Sequence, residues 1–309
     1  MTPDLGAVRV LRGGVRLADA VRAFLDTIPV ANTRRGYATA LDALVCAFGF
    51  DSDTGMLEPE RVGGWFTFTW GDKSSQTFNV RLAALRSACE YWRAQGWLVG
   101  DPLSRLVSRT VPQDRSKALT REEITAILTG DAPLRERVLW HLLYETAARV
   151  EDILPLDVPD LDRPNRCATV VRKGGAIDIV AWQSGTARLL PRLLAGRRTG
   201  PVFLTNRKAK PIVAKADIDP GTGRARLSYR RALEVFENHT AEFTRGPFTL
   251  HQLRHSKLTH AAEDGASTPM LMRMSGHSSV RSLAKYAIPS AESLMAWQAK
   301  TDPAARRSR

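Results

Sequence analysis

Two histidines, an arginine and a tyrosine lie within a short stretch near the end of the sequence. His251 and Arg254 are three residues apart, His277 follows Gly276, and Tyr286 comes nine residues after His277. Side chains three residues apart on a helix leave the same face, so His251 and Arg254 can converge on one anion. Arginine forks match phosphate oxygens, and a tyrosine hydroxyl can act as a nucleophile. These residue types suit the cleavage of a phosphodiester.

The residues around His251 carry their own helix signals. Thr249, with Gln252 three residues later, can form a capping box, and Gly265 is a typical stop signal. Together these signals predict a helix over 249–264.

Two further short helices are predicted after this one. The first is expected to end at Gly276, because glycine is favoured just past a helix end, and this places the next residue, a histidine, in a turn. Ser278 or Ser279 can cap the second helix, which is expected to run up to Pro289 and to carry Tyr286 in its last turn.

The motifs TLHQLRHSKLTHAA and MSGHSSVRSLAKYA resemble the catalytic core of the tyrosine recombinases, also called phage integrases. The resemblance implies a mainly α fold with a small β-sheet, in which a four-helix, SAM-like core-binding domain and a catalytic domain close around duplex DNA. It implies site-specific cleavage and rejoining of DNA strands through a 3′-phosphotyrosyl intermediate, without metal or ATP. It further implies four protomers on two duplexes, and the chain looks like the simple two-domain members.

The resemblance points to six catalytic residues, namely Arg149, Lys173, His251, Arg254, His277 and Tyr286. The two arginines neutralise the non-bridging phosphate oxygens, and Tyr286 is the nucleophile. Lys173 protonates the leaving 5′-oxygen. His251 assists proton removal from the tyrosine and His277 binds a phosphate oxygen, unless either is mainly a positioning group. The AARVED segment departs from the family by carrying alanines where a glycine often precedes the arginine.

Upstream of the helical motifs, the chain contains a predicted β-hairpin. The runs CATVVR and AIDIVAW are rich in β-branched residues and flank Lys173-Gly174-Gly175, which places Lys173 at the tip. Residues 202–205 are expected to add a third strand, and a helix is predicted over 227–238. Asp152 is expected to orient an arginine.

The charge of the chain favours a polyanionic partner. Lysine and arginine total 45 against 32 acidic residues, giving a net charge of +13 among 309 residues. Between residues 163 and 231 there are 16 basic and only 3 acidic side chains. This clustering is typical of proteins that bind nucleic acid.

Several other function classes are disfavoured. The 3 cysteines show no metal-binding spacing, no export signal is recognisable, and no apolar run is long enough for a membrane span, so a cytoplasmic location is expected. His251 and His255 are four residues apart, but Gln252 stands where a zinc protease needs glutamate. No metal or cofactor site is predicted.

Composition changes divide the chain into two predicted domains. Residues 1–110 are expected to form the helical DNA-binding domain, and residues 111–309 the catalytic domain, with a linker near 108–118. Residues 33–35 and 75–81 lie at the starts of two predicted helices and are candidate DNA contacts. The last segment, with Leu294, Met295 and Trp297, is expected either to dock on a neighbouring protomer or to pack on its own domain.

Two other interpretations are open at this stage. A type IB topoisomerase or a hairpin telomere resolvase shares the tyrosine and the basic pocket but rejoins DNA differently. A non-catalytic DNA-binding protein uses the same fold without cleavage. The complete set of six residues and the recombinase-like helical domain favour the recombinase.

Overall fold

The computed structural model of the protein describes residues 15–111, 118–172, 174–277, 279–283, 294–295, 297–299 and 302. The chain divides into two compact units, Met1–Pro112 and Gln113–Arg309. Both are mainly helical, and the second also contains two small sheets, which confirms the predicted fold class. No helix in the described ranges is long and apolar enough to span a membrane.

The described residues of the first unit, 15–111, form four α-helices, as the sequence predicted. They are α1 (Leu17–Asp26), α2 (Ala31–Phe48), α3 (Pro59–Trp70) and α4 (Ser75–Ala94). Their apolar stripes meet in one core that includes Leu41, Phe66, Leu82 and Trp92. Trp92 buries its ring and donates its indole N–H to the carbonyl of Ala20 at 2.9 Å, so its polar atom is satisfied inside the core.

The start of α2 has no side-chain cap, although Asn32 and Thr33 are of residue types that often cap helices. The helix begins at Ala31, so both residues lie inside its first turn. The Asn32 side chain instead accepts a hydrogen bond from the Arg35 guanidinium. An asparagine can bond to side chains as well as to backbone, so its presence alone does not locate a helix start.

The second unit contains eight further helices among its described residues. They are α5 (Arg121–Thr129), α6 (Leu134–Thr146), α7 (Val150–Ile153), α8 (Ser184–Leu194), α9 (Tyr229–Thr240), α10 (Leu250–Glu263), α11 (Thr268–Ser275) and α12 (Val280–Leu283). Trp140 of α6 and Phe236 of α9 are at the centre of the core, with their rings in contact edge to face. The buried face of α6 includes Leu139 and Leu143, which lie four residues apart and so share one side of the helix.

The predicted hairpin is present, but its third strand is not the expected one. Strands β1 (Leu161–Asp162), β2 (Cys167–Val171) and β3 (Ile177–Ala181) form an antiparallel sheet in that order. Residues 202–205 were expected to join it. Instead β4 (Leu204–Lys208) pairs with β5 (Arg224–Arg226) in a separate sheet.

The helices of the catalytic motif start and end where their local signals predicted. The Thr249 capping box is formed at the start of α10, with the Thr249 N–H donating to Gln252 Oε1 at 2.8 Å. Gly276 ends α11 with a left-handed φ of 63°. Only the first turn of the third predicted helix, α12, is described, and Tyr286 lies outside the described residues.

The start of α8 is held by a carboxylate from another helix. Glu145 of α6 is buried, and its oxygens accept hydrogen bonds from the backbone N–H groups of Gln183 at 2.8 Å and Thr186 at 3.2 Å. Gly185 lies against this contact, so a Cβ there would overlap the Glu145 carboxylate and the His141 ring. The absence of a side chain at Gly185 is therefore a packing requirement.

We expect opposite effects from two glycine-to-alanine substitutions. Gly185→Ala forces Glu145 away from α8 and lowers the free energy of unfolding by about 2–4 kcal/mol. Gly64→Ala, on α3 with no atom near the new Cβ, raises it by about 0.5–1 kcal/mol because alanine is the better helix former. Scanning calorimetry of both variants measures the two shifts, and a Gly185→Ala protein as stable as wild type would contradict the packing argument.

Candidate active site

Helix α10 places two of the predicted site residues in different surroundings. His251 is exposed, whereas Arg254, one turn further on, is only 2% exposed. A buried guanidinium is costly unless its donors are hydrogen-bonded, so its partners define the geometry of this region.

Arg254 links the segments on either side of it through backbone carbonyls. Its NH1 donates to the carbonyl of Ala147 at 2.5 Å, and its NH2 donates to the carbonyl of Ser275 at 2.8 Å. Ala147 ends α6 in the left-handed conformation, with a φ of 51°, and Ser275 is the last residue of α11. Arg254 therefore holds the end of α6 and the end of α11 against α10.

His277 lies beside this guanidinium. Its Nε2 is 3.5 Å from Arg254 NH2, and its Nδ1 is 2.8 Å from Ser275 Oγ. Since the arginine can only donate, the neutral histidine that fits both contacts carries its proton on Nδ1 and donates it to Ser275. The Gly276 turn thus brings His277 and Arg254 together.

Arg149 follows the Ala147 turn and precedes α7. Its side chain is 29% exposed, and its NH1 is 4.0 Å from Asp152 Oδ2. The same oxygen accepts the backbone N–H of Arg149 at 3.1 Å, so Asp152 holds both the start of α7 and the direction of the arginine. Asp152 was expected to orient an arginine, and it contacts two.

The second arginine is Arg172, which was not among the predicted site residues. It is 6% exposed, and its NH1 donates to Asp152 Oδ2 at 2.6 Å. Its Nε donates to Asp178 Oδ2 on β3 at 3.1 Å. Arg172 therefore bridges α7 and the hairpin.

Asp178 extends this network to α11. Its other oxygen, Oδ1, accepts hydrogen bonds from the Arg273 guanidinium and from the Ile179 N–H. Burial alone would raise the pKa of Asp178, but the Ile179 N–H and the Arg172 guanidinium outweigh burial, and the net effect is a lowered pKa. The carboxylate is thus held in its charged form.

Lys173 lies outside the described residues, and only its neighbours can be located. The Gly175 N–H donates to the carbonyl of Arg172 at 2.9 Å, and the Arg172 N–H donates to the carbonyl of Ala176 at 2.8 Å. These bonds close the hairpin around position 173. Of the six predicted site residues, the structure brings together Arg149, Arg254 and His277, with exposed His251 on the same helix as Arg254.

Helix α10 carries two further histidines, His255 and His260, outside the predicted set of site residues. Both are buried, and His260 Nδ1 is 2.9 Å from the Tyr144 hydroxyl. Burial lowers the pKa of His260 and of Lys257, which lies over the Tyr144 ring. These groups join α10 to α6.

A basic groove is, after Arg172, the second part of the candidate site that the sequence motifs did not predict. It has a volume of about 610 Å³ and lies between β4, β5 and the starts of α6 and α9. Its cationic lining residues are Arg135, Arg207, Lys208, Lys210 and Arg231. Within the described part of the chain, no acidic side chain lines it. The run of positive charge between residues 163 and 231 was the only sequence signal for it.

Comparison with known sequences identifies the family. Residues 117–292 match the phage integrase family. The chain belongs to the phage integrase family. It is 30% identical over 270 residues to the tyrosine recombinase XerC of Mycobacterium tuberculosis, covering 82% of this chain and 87% of the relative. The XerC of Myxococcus xanthus is 31% identical over 213 residues, covering 67% of this chain and 69% of that one.

Solved integrases share the fold at much lower identity. The Tn1549 transposon integrase in complex with transposon right end DNA matches with a TM-score of 0.69 and 16% identity, covering 93% of this chain and 99% of that chain. A lambda integrase tetramer bound to a Holliday junction matches with a TM-score of 0.69 and 15% identity, covering 89% of this chain and 78% of that chain. These likenesses establish the integrase fold for this chain.

The two site arginines are expected to differ in their contribution to stability. Arg254→Lys loses the planar fork that reaches two carbonyls, so the free energy of unfolding falls by about 1–3 kcal/mol. Arg149→Lys, at a partly exposed position, changes it by less than about 0.5 kcal/mol. Calorimetric unfolding of both proteins tests this difference, and equal losses would show that the burial of Arg254 is not the deciding factor.

Proposed function

We propose that this protein is a site-specific DNA recombinase that cleaves and rejoins strands through a covalent bond to Tyr286. The observation that carries the proposal is the contact between buried Arg254 and His277, because it brings two phosphate-binding groups together. His277 lies nine residues before Tyr286 in the sequence. The family relationship and the relatives' designation as tyrosine recombinases support it.

In the proposed reaction, the Tyr286 hydroxyl attacks the scissile phosphorus in line with the leaving 5′-oxygen. The tyrosine gives its proton to His251, the bond between phosphorus and the 5′-oxygen breaks, and Lys173 protonates that oxygen. The products are a 3′-phosphotyrosyl bond and a free 5′-hydroxyl. A 5′-hydroxyl from another strand reverses the steps, and the retained phosphoester bond makes ATP unnecessary.

Arg149, Arg254 and His277 have an electrostatic role in this proposal. The attacked phosphate gains charge on its non-bridging oxygens, and fixed cationic donors stabilise that charge most effectively where water is excluded. Arg254 is already fixed by two carbonyl bonds before DNA arrives, so little reorganisation is needed. His277 is proposed to donate from Nε2 to a phosphate oxygen, which requires the other tautomer, with the proton on Nε2 and Nδ1 accepting a hydrogen bond from the Ser275 hydroxyl.

We further propose double-stranded DNA as partner and a tetramer on two duplexes as the active assembly. The complexes of Tn1549 integrase with DNA and of the lambda integrase tetramer with a Holliday junction support this.

The first unit is proposed to bind the core DNA and the second to perform catalysis in the cytoplasm. Leu294, Met295 and Trp297 are exposed, which supports a contact of the tail with a neighbouring protomer.

The basic groove is proposed to contact the DNA backbone. Replacing Lys208 and Lys210 by alanine removes two cationic groups from it, so the slope of log K against log salt concentration falls by up to about 1.8. Filter binding or fluorescence anisotropy across a salt series measures the slope. As a control with the same loss of charge, Arg188 and Arg192 on α8 are replaced by alanine. Equal slopes for the two double variants would contradict a specific role of the groove.

A trapping experiment tests the proposed reaction. The preferred duplex is first selected from random-sequence DNA, and versions nicked at successive positions are then incubated with wild-type protein or Tyr286→Phe in EDTA. A nick just downstream of the cleaved phosphate lets the short 5′-hydroxyl fragment diffuse away, so the covalent product accumulates. We expect wild type to form a denaturation-resistant adduct and Tyr286→Phe to form none while binding DNA equally well.

Other outcomes of trapping favour the alternatives. If neither protein traps DNA at any nick position, although both bind it, the fold serves a non-catalytic DNA-binding function. If wild type forms the adduct but relaxes supercoiled plasmid without exchanging strands between two sites, the topoisomerase interpretation is favoured. An adduct that persists in Tyr286→Phe would reject Tyr286 as the nucleophile.

A further inference from the structure

We infer that Arg172 is a positioning residue that holds the general-acid hairpin against the rest of the active site. The inference rests on the proposed function of Lys173, the next residue in the chain. The guanidinium of Arg172 contacts three separate parts of the second unit, namely the start of α7, strand β3 and the turn that carries His277.

The first contact joins the hairpin to the Arg149 segment. Asp152 Oδ2 accepts Arg172 NH1 at 2.6 Å and also accepts the Arg149 backbone N–H at 3.1 Å. One carboxylate oxygen therefore sets the distance between the residue before Lys173 and the start of α7. Both Asp152 and Arg172 are buried, so water competes little for this bond.

The second contact lies within the hairpin and reaches α11. Arg172 Nε donates to Asp178 Oδ2 at 3.1 Å, and Asp178 Oδ1 accepts from Arg273 on α11. The two strands are thus connected across their ends by an ion pair, which is in turn tied to the helix that precedes the His277 turn.

The third contact is a close approach to Gly276. A Cβ at this position would lie 2.8 Å from Arg172 Nε and 2.9 Å from Cζ, so the guanidinium packs directly on the glycine backbone. The left-handed φ of Gly276 and this lack of space both require glycine. The guanidinium thus fills the space between the Asp152 carboxylate and the residue before His277.

A lysine in place of Arg172 cannot reproduce these contacts. Its single ammonium can pair with one carboxylate but cannot bridge two of them from a planar fork. The hairpin end then loses a fixed position, and Lys173 protonates the leaving oxygen less efficiently. Binding of the phosphate by Arg149, Arg254 and His277 does not require this proton transfer.

A sulfur-substituted substrate tests this role. When the scissile 5′-oxygen is replaced by sulfur, the P–S bond breaks to release a thiolate, which is a much weaker base than an alkoxide and does not need a proton. Cleavage of the nicked trapping duplex is timed for both substrates. We expect Arg172→Lys to cleave the oxygen substrate about 10- to 100-fold more slowly than wild type, and the sulfur substrate within about 3-fold of wild type.

Three other variants calibrate the test. Lys173→Ala is expected to show a larger loss on oxygen and the same rescue by sulfur, whereas Arg149→Lys is slow on both substrates because it lacks the planar fork that binds the phosphate oxygens, whichever atom leaves. Arg197→Lys is the structural control, since Arg197 is also largely buried and donates to the carbonyls of Pro201 and Val202, and it is expected to match wild type on both. Calorimetry and DNA binding establish that each protein is folded.

The outcomes separate this inference from the proposed function. If Lys173→Ala is rescued by sulfur but Arg172→Lys is equally slow on both substrates, or is as fast as wild type on oxygen, the positioning role is rejected. If Lys173→Ala is not rescued, the general-acid role in the proposed function is rejected instead. Should Arg172→Lys fail to fold, Arg172→Gln combined with Asp178→Asn removes one charge of each sign and is measured in the same way.

Discussion

The buried guanidinium of Arg254 is the interaction on which the arrangement of the second unit's site depends. Taking a charged group out of water costs several kcal/mol unless hydrogen bonds replace its hydration. Here the carbonyls of Ala147 and Ser275 supply two of those bonds from the ends of two helices. One guanidinium thus fixes the ends of two helices against α10.

The carbonyl that Ala147 offers to Arg254 depends on an uncommon backbone conformation. At a φ of 51°, alanine costs roughly 1 kcal/mol more conformational free energy than glycine does. The same turn directs the chain into Arg149 and α7. Ala147 of the AARVED segment therefore adopts a conformation that a glycine takes more easily.

The charges near the site are arranged in two ways that match a phosphate diester. Close to the hairpin, Asp152 and Asp178 neutralise the buried Arg172, and Asp178 also pairs with the exposed Arg273, so these groups hold the structure together. Away from it, the basic groove presents cationic side chains without acidic residues in its described lining. The first arrangement provides rigidity and the second provides attraction for a polyanion over a larger surface.

The sequence by itself determined the helices of the site, because their signals are local. The capping box at Thr249 and the stop at Gly276 involve residues within one or two turns, and the structure shows both. The contact between Arg254 and His277 depends on the short helix and the tight turn that lie between them, and local signals predicted both of these. The family was recognisable from these same motifs.

Only the tertiary structure decided which distant groups meet. Strand β4 has no local signal for its partner, and it pairs with β5 about twenty residues later instead of joining the hairpin. Arg172 looked like one more basic residue beside Lys173, because its carboxylate partners lie 20 and 6 residues away and its glycine contact lies still further along the chain. Burial is set by the packing of all these segments together, and a single stretch of sequence does not encode it.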